Sequence, residues 1–289
     1  MIYYLIASIL IAVAALFART KRAVLAAGIL FYAVQIAAAG LLLWGGLYDT
    51  TSAAFFTFDA LGTLFYLLLV VVSMYVFGHS EAYLQGEDLR SYRLYFALLM
   101  LLTTAIAGAY FANNLEATTL CSAGIIYHRR TAQALEAAWK YVFVCSTGIA
   151  MAYLGILLLA AATKCETLSY EAVTEAASSG NPLYLKTAFL LILSGYSCKL
   201  ELFPLYTVGI DANFAAPAPA SALISTGLVN AGFLALLRVY KLLAGTEVFP
   251  WVRSVLLIVG ILSLGVGALF LRRTNNYKRF LSYSTVENM

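Results

Sequence analysis

The sequence predicts an all-α protein, a polytopic bundle of transmembrane helices. Of its 289 residues, 63% are apolar and 11% are charged, which is less than half of the roughly 25% charged residues of a soluble domain. The apolar residues form long runs, whereas a transmembrane β-barrel has short alternating segments. At about 20 residues per span, the chain has room for about eight spans and the start of a ninth. A soluble enzyme, a disordered chain and a nucleic-acid-binding protein are excluded.

The first four spans follow from apolar runs that are bounded by charged residues. The basic cluster of Arg19, Lys21 and Arg22 comes after the first run, which is the reverse of the order in a signal peptide. A polar loop with five charges, over 79–93, separates the third span from the fourth. These boundaries predict spans 1 to 4 at residues 2–17, 23–48, 61–78 and 94–111.

The second half of the chain gives four more spans, and one of them is broken. The stretch 163–182 is the most polar, and Glu171 and Glu175 within it would share the solvated face of a short helix. Span 7 starts near residue 183 and is interrupted by prolines at 204, 217 and 219, because proline breaks helical hydrogen bonding. The predicted ranges are 113–127 for span 5, 137–162 for span 6, 220–237 for the resumption of span 7, 255–271 for span 8, and a ninth span beginning at Phe280.

Charged residues inside these spans are the candidates for function. A charge at bilayer depth costs a few kcal/mol or more, so such residues face the bundle interior and are paired. Glu116, Lys140 and Lys199 lie within predicted spans. For Lys140, two interpretations stay open: a functional site, or a side chain that reaches the membrane surface. Glu201 is also a charge in span 7, and for it the water-exposed end of a helix stays open as the alternative interpretation.

A lysine that faces a glutamate inside a membrane forms a proton site with two states, because each partner favours the charged form of the other. A row of such sites is typical of a proton relay. The break in span 7 supports this interpretation, since non-helical backbone at membrane depth lines cavities and transport sites.

The sequence predicts neither a cofactor nor a metal site. The four cysteines are too far apart in sequence for a metal knuckle or a redox pair. The two histidines lie at span edges and give no haem or iron–sulfur ligand set. No combination of nucleophile and base is visible in the spans, so a membrane enzyme with its own active site is the weakest hypothesis.

Four strings of residues carry a family resemblance. They are Asn-Asn-Leu-Glu-Ala-Thr-Thr-Leu-Cys-Ser-Ala at 113–123, Leu-Glu-Ala-Ala-Trp-Lys-Tyr at 135–141, Gly-Tyr-Ser-Cys-Lys at 195–199 followed by Ala-Pro-Ala-Pro-Ala-Ser-Ala at 216–222, and Tyr-Lys-Arg-Phe-Leu-Ser-Tyr-Ser-Thr-Val-Glu-Asn-Met at 277–289. Together they resemble the antiporter-like, proton-conducting membrane subunits of respiratory complex I, Mrp antiporters and group 4 hydrogenases. The branch most similar is that of hydrogenase-4 and formate hydrogenlyase.

The resemblance implies a role for four residues. Glu116 matches the glutamate of the family's fifth helix, and Lys199 matches the lysine that pairs with it. Lys140 matches the lysine of the sixth helix. Lys278 matches a lysine that carries protons toward the next half-channel. One departure concerns the string at 113–123, where about two turns of the family's fifth helix are missing before Glu116.

The resemblance also implies the domain organisation. Residues 1–92 hold helices 1–3, residues 93–273 hold the first antiporter-like repeat with helices 4–8, and residues 274–289 are the start of a second, truncated repeat. The expected function is proton translocation in a hydrogenase or NADH:quinone oxidoreductase complex in a prokaryotic cell membrane. Expected partners are other membrane subunits, a peripheral redox arm, the bilayer, and protons or sodium ions. An Mrp-type sodium/proton antiporter subunit and a non-conducting remnant are the alternatives.

Overall fold

The computed structural model describes residues 2–44, 60–111, 124–126, 128, 130–164 and 170–288, with the side chains of residues 2 and 170–172 excepted. Within these ranges the chain is helical and contains no strand, so the predicted all-α class is confirmed. The helices are α1 Ile2–Leu16, α2 Lys21–Leu43, α3 Ala60–Tyr83, α4 Leu89–Phe111, α5 Ala132–Thr163, α6 Tyr170–Ala177, α7 Pro182–Leu200, α8 Thr207–Ala215, α9 Ala218–Leu223, a π-helix at Ile224–Leu228, α10 Val229–Leu243, α11 Phe249–Leu271 and α12 Tyr277–Glu287.

Six segments in the described part of the chain are long and apolar enough to cross a membrane. This confirms a polytopic transmembrane bundle. The total number of spans, and the description of span 7 as one broken span, stay predictions. The six segments are Lys21–Leu43, Ala60–Tyr83, Leu89–Phe111, Ala132–Thr163, Ala218–Leu243 and Phe249–Leu271.

Several helices extend beyond the apolar runs that predict them. The stretch 79–93 is mostly helical, because α3 continues to Tyr83 and α4 begins at Leu89. Charged side chains in these end turns find partners nearby: Arg93 Nη1 donates to the Ala18 carbonyl at 3.1 Å. A charged residue therefore marks the membrane edge and not the end of the helix. Most of the predicted span 5 lies outside the described residues.

The structure divides into two compact units, and the first comprises residues 1–139 and 215–231. The first four helices pack together in it around the buried side chain of Gln35. Gln35 accepts hydrogen bonds from the hydroxyls of Tyr4 and Tyr66, and its amide nitrogen lies 3.5 Å from Ser8 Oγ. A buried amide is stable only when its polar atoms are paired in this way.

The same unit contains α9 and the π-helix that follows it. Pro217 and Pro219 flank the first residue of α9, where the first amides of a helix have no helical partner and proline is tolerated. The fully buried Tyr110 of α4 donates its hydroxyl proton to the Gly227 carbonyl at 3.0 Å. This bond anchors the π-helix, whose widened turn leaves carbonyls poorly paired.

The second unit comprises residues 140–214 and 232–289. In it α5 and α7 pack through small residues. A Cβ atom at Gly195 would lie 2.7 Å from the Ala152 backbone nitrogen and 2.8 Å from its Cβ, and would also collide with the Gly148 carbonyl. Such close approach is typical of helices that associate within a membrane, where van der Waals packing is a main driving force.

Helix α7 has a defined beginning and a defined end. Asn181 caps its first turn by accepting the Leu183 amide at 3.0 Å, and Pro182 occupies the first helical position. The helix ends at Leu200, and Glu201 adopts the left-handed conformation with φ of 57°. Residues 201–206 are non-helical before α8 begins. The end of α7 therefore lies one residue after Lys199.

Candidate functional site

Lys199 is a buried cation in the last turn of α7. Only 3% of its surface is exposed. Its Nζ donates to the hydroxyl of Tyr141 on α5 at 3.2 Å and lies 4.8 Å from the centroid of the same ring. The hydroxyl and the ring face both stabilise a protonated amine. Tyr141 is thus a described partner of this lysine through both its hydroxyl and its ring.

Two buried thiols lie beside this lysine. Cys145 is on α5, one turn after Tyr141, and Cys198 is on α7. The Cys198 thiol donates to the Gly195 carbonyl at 2.9 Å. The Cys145 side chain interacts with Cys198 and with Lys199. A polar row formed by Tyr141, Lys199, Cys145 and Cys198 therefore runs between α5 and α7.

Two basic side chains from other helices lie near Asp211 of α8. Lys140 Nζ lies 3.5 Å from Asp211 Oδ2, and Arg279 Nη2 lies 3.9 Å from Asp211 Oδ1. The Arg279 guanidinium also lies 4.8 Å from the Phe214 ring centroid. The Lys140 side chain is half exposed and that of Asp211 is about one-third exposed, so water weakens these ion pairs.

Lys278 reaches the same short helix from α12. Its Nζ lies 3.5 Å from the Phe214 carbonyl, which belongs to the last turn of α8. A cation at this end is favourable because the last carbonyls of a helix carry partial negative charge. Asn276 fixes the position of Lys278 by accepting the Lys278 and Arg279 amides at 3.0 and 3.3 Å.

The sequence left two interpretations open for Glu201, and the one that makes it the water-exposed end of a helix is wrong. The residue is 2% exposed, because Gly209 and Asn213 of α8 lie against its side chain. Its Oε1 accepts a hydrogen bond from Asn213 Nδ2 at 2.9 Å. Its Oε2 is buried and has no hydrogen-bond partner among the described residues. Sequence reasoning noted Glu201 as a charge in span 7 but gave it no functional role, and it missed the amide partner Asn213.

Three of the four predicted site residues lie in the second unit. Lys140 and Lys278 both contact α8, and Lys199 occupies the polar row beside Tyr141. Glu116 lies outside the described residues, so its distance from Lys199 stays a prediction. Among the described residues, no group of three or more histidine, cysteine or acidic side chains could hold a metal ion.

A family model described as "NADH:quinone oxidoreductase/Mrp antiporter, TM" matches residues 105–289. The chain belongs to this family. A relative named hydrogenase-4 component F homolog, from Methylacidiphilum infernorum (isolate V4), is 30% identical over 82% of this chain and 54% of its own length. NADH-quinone oxidoreductase subunit N of Ectopseudomonas mendocina (strain ymp) is 27% identical over 88% of this chain and 53% of its own length. The chain spans about half the length of these two family members.

Solved structures share the fold. A chain of the membrane-bound sulfane sulfur reductase, an archaeal respiratory membrane complex, aligns with a TM-score of 0.84 at 23% identity, over 98% of this chain and 61% of that chain. A chain of respiratory complex I from Thermus thermophilus aligns with a TM-score of 0.75 at 21% identity, over 99% and 62% of the two chains. The predicted fold and family are therefore confirmed.

Proposed function

We propose that this chain is a proton-translocating membrane subunit of a hydrogenase or complex I-like assembly in a prokaryotic cell membrane. Protons pass along a relay of buried groups in which Glu116 and Lys199 form the coupled pair and Lys140 and Lys278 continue the path. Partner subunits, including a peripheral redox arm, carry the electrons. The first antiporter-like repeat, at 93–273, holds the input half of the channel.

The observation that carries this proposal is the position of Lys199. A buried amine within a membrane helix is costly, and residues of this kind mark ion and proton pathways. Tyr141 holds the amine at 3.2 Å, and the non-helical residues 201–206 begin two residues later. Non-helical backbone at membrane depth is found where it lines a cavity or packs on protein.

The positions of Lys140 and Lys278 support the rest of the relay. Both amines contact the short helix α8, one at the Asp211 carboxylate and the other at the Phe214 carbonyl. A proton leaving the interior near Lys199 would therefore meet two further amines and one carboxylate that are partly accessible to water. Groups of alternating charge sign permit proton transfer in small steps, because each step is stabilised by a neighbour.

The test is proton translocation in membrane vesicles that contain the assembled complex. We expect Lys199→Ala and Glu116→Gln to lower translocation on the order of 10²-fold, the usual contribution of a positioned proton-transfer group. Lys241→Ala is the matched control, because Lys241 is an exposed lysine at the end of α10. The amount of assembled complex is measured in every variant.

Two outcomes of this test would overturn the proposal, and each would indicate a different function. Full translocation in both variants, with normal assembly, would indicate a non-conducting structural subunit. Translocation that requires sodium and proceeds without electron transfer would indicate an antiporter of the Mrp kind.

A further inference from the structure

A buried carboxyl group occupies the non-helical segment between α7 and α8. Glu201 is 2% exposed, and its backbone φ of 57° lies in the left-handed region. This conformation is unfavourable for a residue with a side chain, and glycine is the usual residue at such a helix end. Burial of a carboxyl group adds a second cost. A glutamate that bears both costs indicates a role for its carboxyl group.

The surroundings of Glu201 fit its carboxyl group closely. Gly209, in the first turn of α8, packs directly on the carboxyl, and a Cβ atom at residue 209 would overlap it. On the other side, Asn213 donates to Oε1 at 2.9 Å. Oε2 has no hydrogen-bond partner among the described residues. One oxygen is therefore fixed by α8 while the other is free to bind a proton.

The titratable neighbour of Glu201 on α5 is Cys145, whose thiol is close enough to interact with it electrostatically. The same thiol interacts with Lys199 of α7. On α8 the charged residue is Asp211, two residues before Asn213, and residues two apart on a helix point in different directions. Asp211 pairs with Lys140 and is one-third exposed. Among the described residues, Glu201 forms no ion pair, and its neighbours include Gly209, Asn213 and Cys145 of the polar row.

We propose that Glu201 is a second proton-binding carboxyl group, which binds and releases a transported proton at Oε2 while Oε1 stays bonded to Asn213. This inference rests on the proposed function and adds a residue to its pathway. The step is a simple protonation of a carboxylate and needs no electron. Glu201 would exchange its proton with Lys199 by way of the neighbouring Cys145 side chain, and it would pass the proton toward α8.

A proton fits this group better than a metal cation does. Sodium and other hard cations are bound by several oxygen ligands. Here Asn213 presents its N–H group to the carboxylate, and a donor of this kind opposes a cation at the same oxygen. Gly209 fills the adjoining side by direct contact. The carboxyl group therefore has a free oxygen for a proton, and within the described part of the chain no group of three histidine, cysteine or acidic side chains could hold a metal there.

The decisive variant is Glu201→Gln in the assembled complex. Glutamine keeps the shape and the acceptor for Asn213 but cannot bind a proton in this way. We expect proton translocation to fall on the order of 10²-fold with the amount of complex unchanged. Glu247→Gln is the matched control, because Glu247 is an exposed carboxylate in the turn before α11, and it should leave translocation unchanged. Glu201→Asp keeps the acid and should retain part of the activity.

A second measurement does not depend on transport. An infrared difference spectrum of the wild-type complex across a pH step should contain a carboxyl C=O band that Glu201→Asp shifts in frequency and Glu201→Gln removes. If Glu201→Gln fails to assemble, the frequency shift in Glu201→Asp decides the question. The absence of any band that depends on residue 201 would overturn the inference.

The failure of this inference can be distinguished from the failure of the proposed function. Normal translocation in Glu201→Gln, together with loss in Lys199→Ala, would overturn the role of Glu201 and leave the proposed pathway intact. Normal translocation in both variants would overturn both. A sodium-dependent activity that disappears in Glu201→Gln, with no infrared band, would identify a cation ligand and overturn the proton-carrier role.

Discussion

The close approach of α5 and α7 can be tested by adding a single methyl group. We expect Gly195→Ala to destabilise the protein. The new Cβ atom would lie 2.7 Å from the Ala152 nitrogen, which is about 0.7 Å inside the 3.4 Å at which ordinary contacts begin. The atoms that it meets are mostly backbone atoms, so no side-chain rotation can relieve the overlap. The two helices would have to move apart.

The expected change in the free energy of unfolding of Gly195→Ala is the difference between the cost of overpacking and the gain in helix propensity. Overpacking of a well-packed interior costs about 1–3 kcal/mol, and a gap of 0.5–1 Å forfeits a quarter to a half of each dispersion contact along the helix pair. Replacing glycine by alanine within a helix stabilises the helix by roughly 0.5–1 kcal/mol. We therefore expect a net loss of about 1–2 kcal/mol in the free energy of unfolding.

The displacement would also reach the candidate site. Lys199 lies one turn after Gly195 on the same face of α7, and its amine bonds Tyr141 on α5 at 3.2 Å. A separation of about 0.7 Å would weaken this bond beyond the usual hydrogen-bond range. Loss of stability and loss of proton translocation are thus expected together.

The assay is equilibrium unfolding of the detergent-solubilised protein, with Gly260→Ala as the control. Gly260 lies on α11 and a Cβ atom there would meet nothing within 4 Å, so this variant should be neutral or more stable by up to about 1 kcal/mol. If Gly195→Ala is as stable as Gly260→Ala, the close contact between α5 and α7 does not exist and the reasoning is refuted.

Two further predictions concern individual contacts. Tyr110→Phe removes the hydroxyl that donates to the buried Gly227 carbonyl, and it should lower the free energy of unfolding by about 1–3 kcal/mol. The control is Tyr75→Phe, at an exposed ring. Equal stability of the two variants would contradict the prediction. A double-mutant cycle with Lys140→Ala and Asp211→Asn should give a coupling energy below about 1 kcal/mol, because both side chains are partly exposed. A larger coupling, or one that salt does not weaken, would show that water does not reach this pair.

Composition alone predicts the fold class of this protein, but it does not predict the ends of the helices. Long apolar runs identify the bilayer-spanning parts because lipid demands internally bonded backbone. The helices extend beyond these runs. Helix α4, for example, begins at Leu89, five residues before the apolar run that starts at Leu94. Charged residues in these turns, such as Arg93, are stabilised by partners distant in sequence. No local pattern contains that information.

The sequence predicts most residues of the candidate site from their type, but it predicts the burial and the contacts of these residues only in part. Lys199 and Lys140 stand out as charges in apolar runs. The burial of Glu201 does not, since this residue lies two positions after Lys199 and a continued helix would direct the two side chains apart. Pro204, which already predicts the interruption of span 7, also indicates that the helix ends near Glu201, because the residue before proline disfavours helical geometry.

The hydrogen bonds around this segment also argue that Glu201 is functional. Non-helical backbone inside a membrane protein must satisfy its amides internally, and the four amide N–H groups between Glu201 and Leu205 are all bonded, Pro204 having none. The acceptors are the Ser197 carbonyl for Glu201 and Leu202, Ser263 Oγ for Phe203, and the Leu202 carbonyl for Leu205. A segment folded only to turn the chain would leave no reason for an acid at residue 201, where glycine would avoid both the strain and the burial. Beside these bonded amides, the Oε2 of Glu201 is a buried side-chain oxygen without a hydrogen-bond partner among the described residues, and a proton is what that atom can bind.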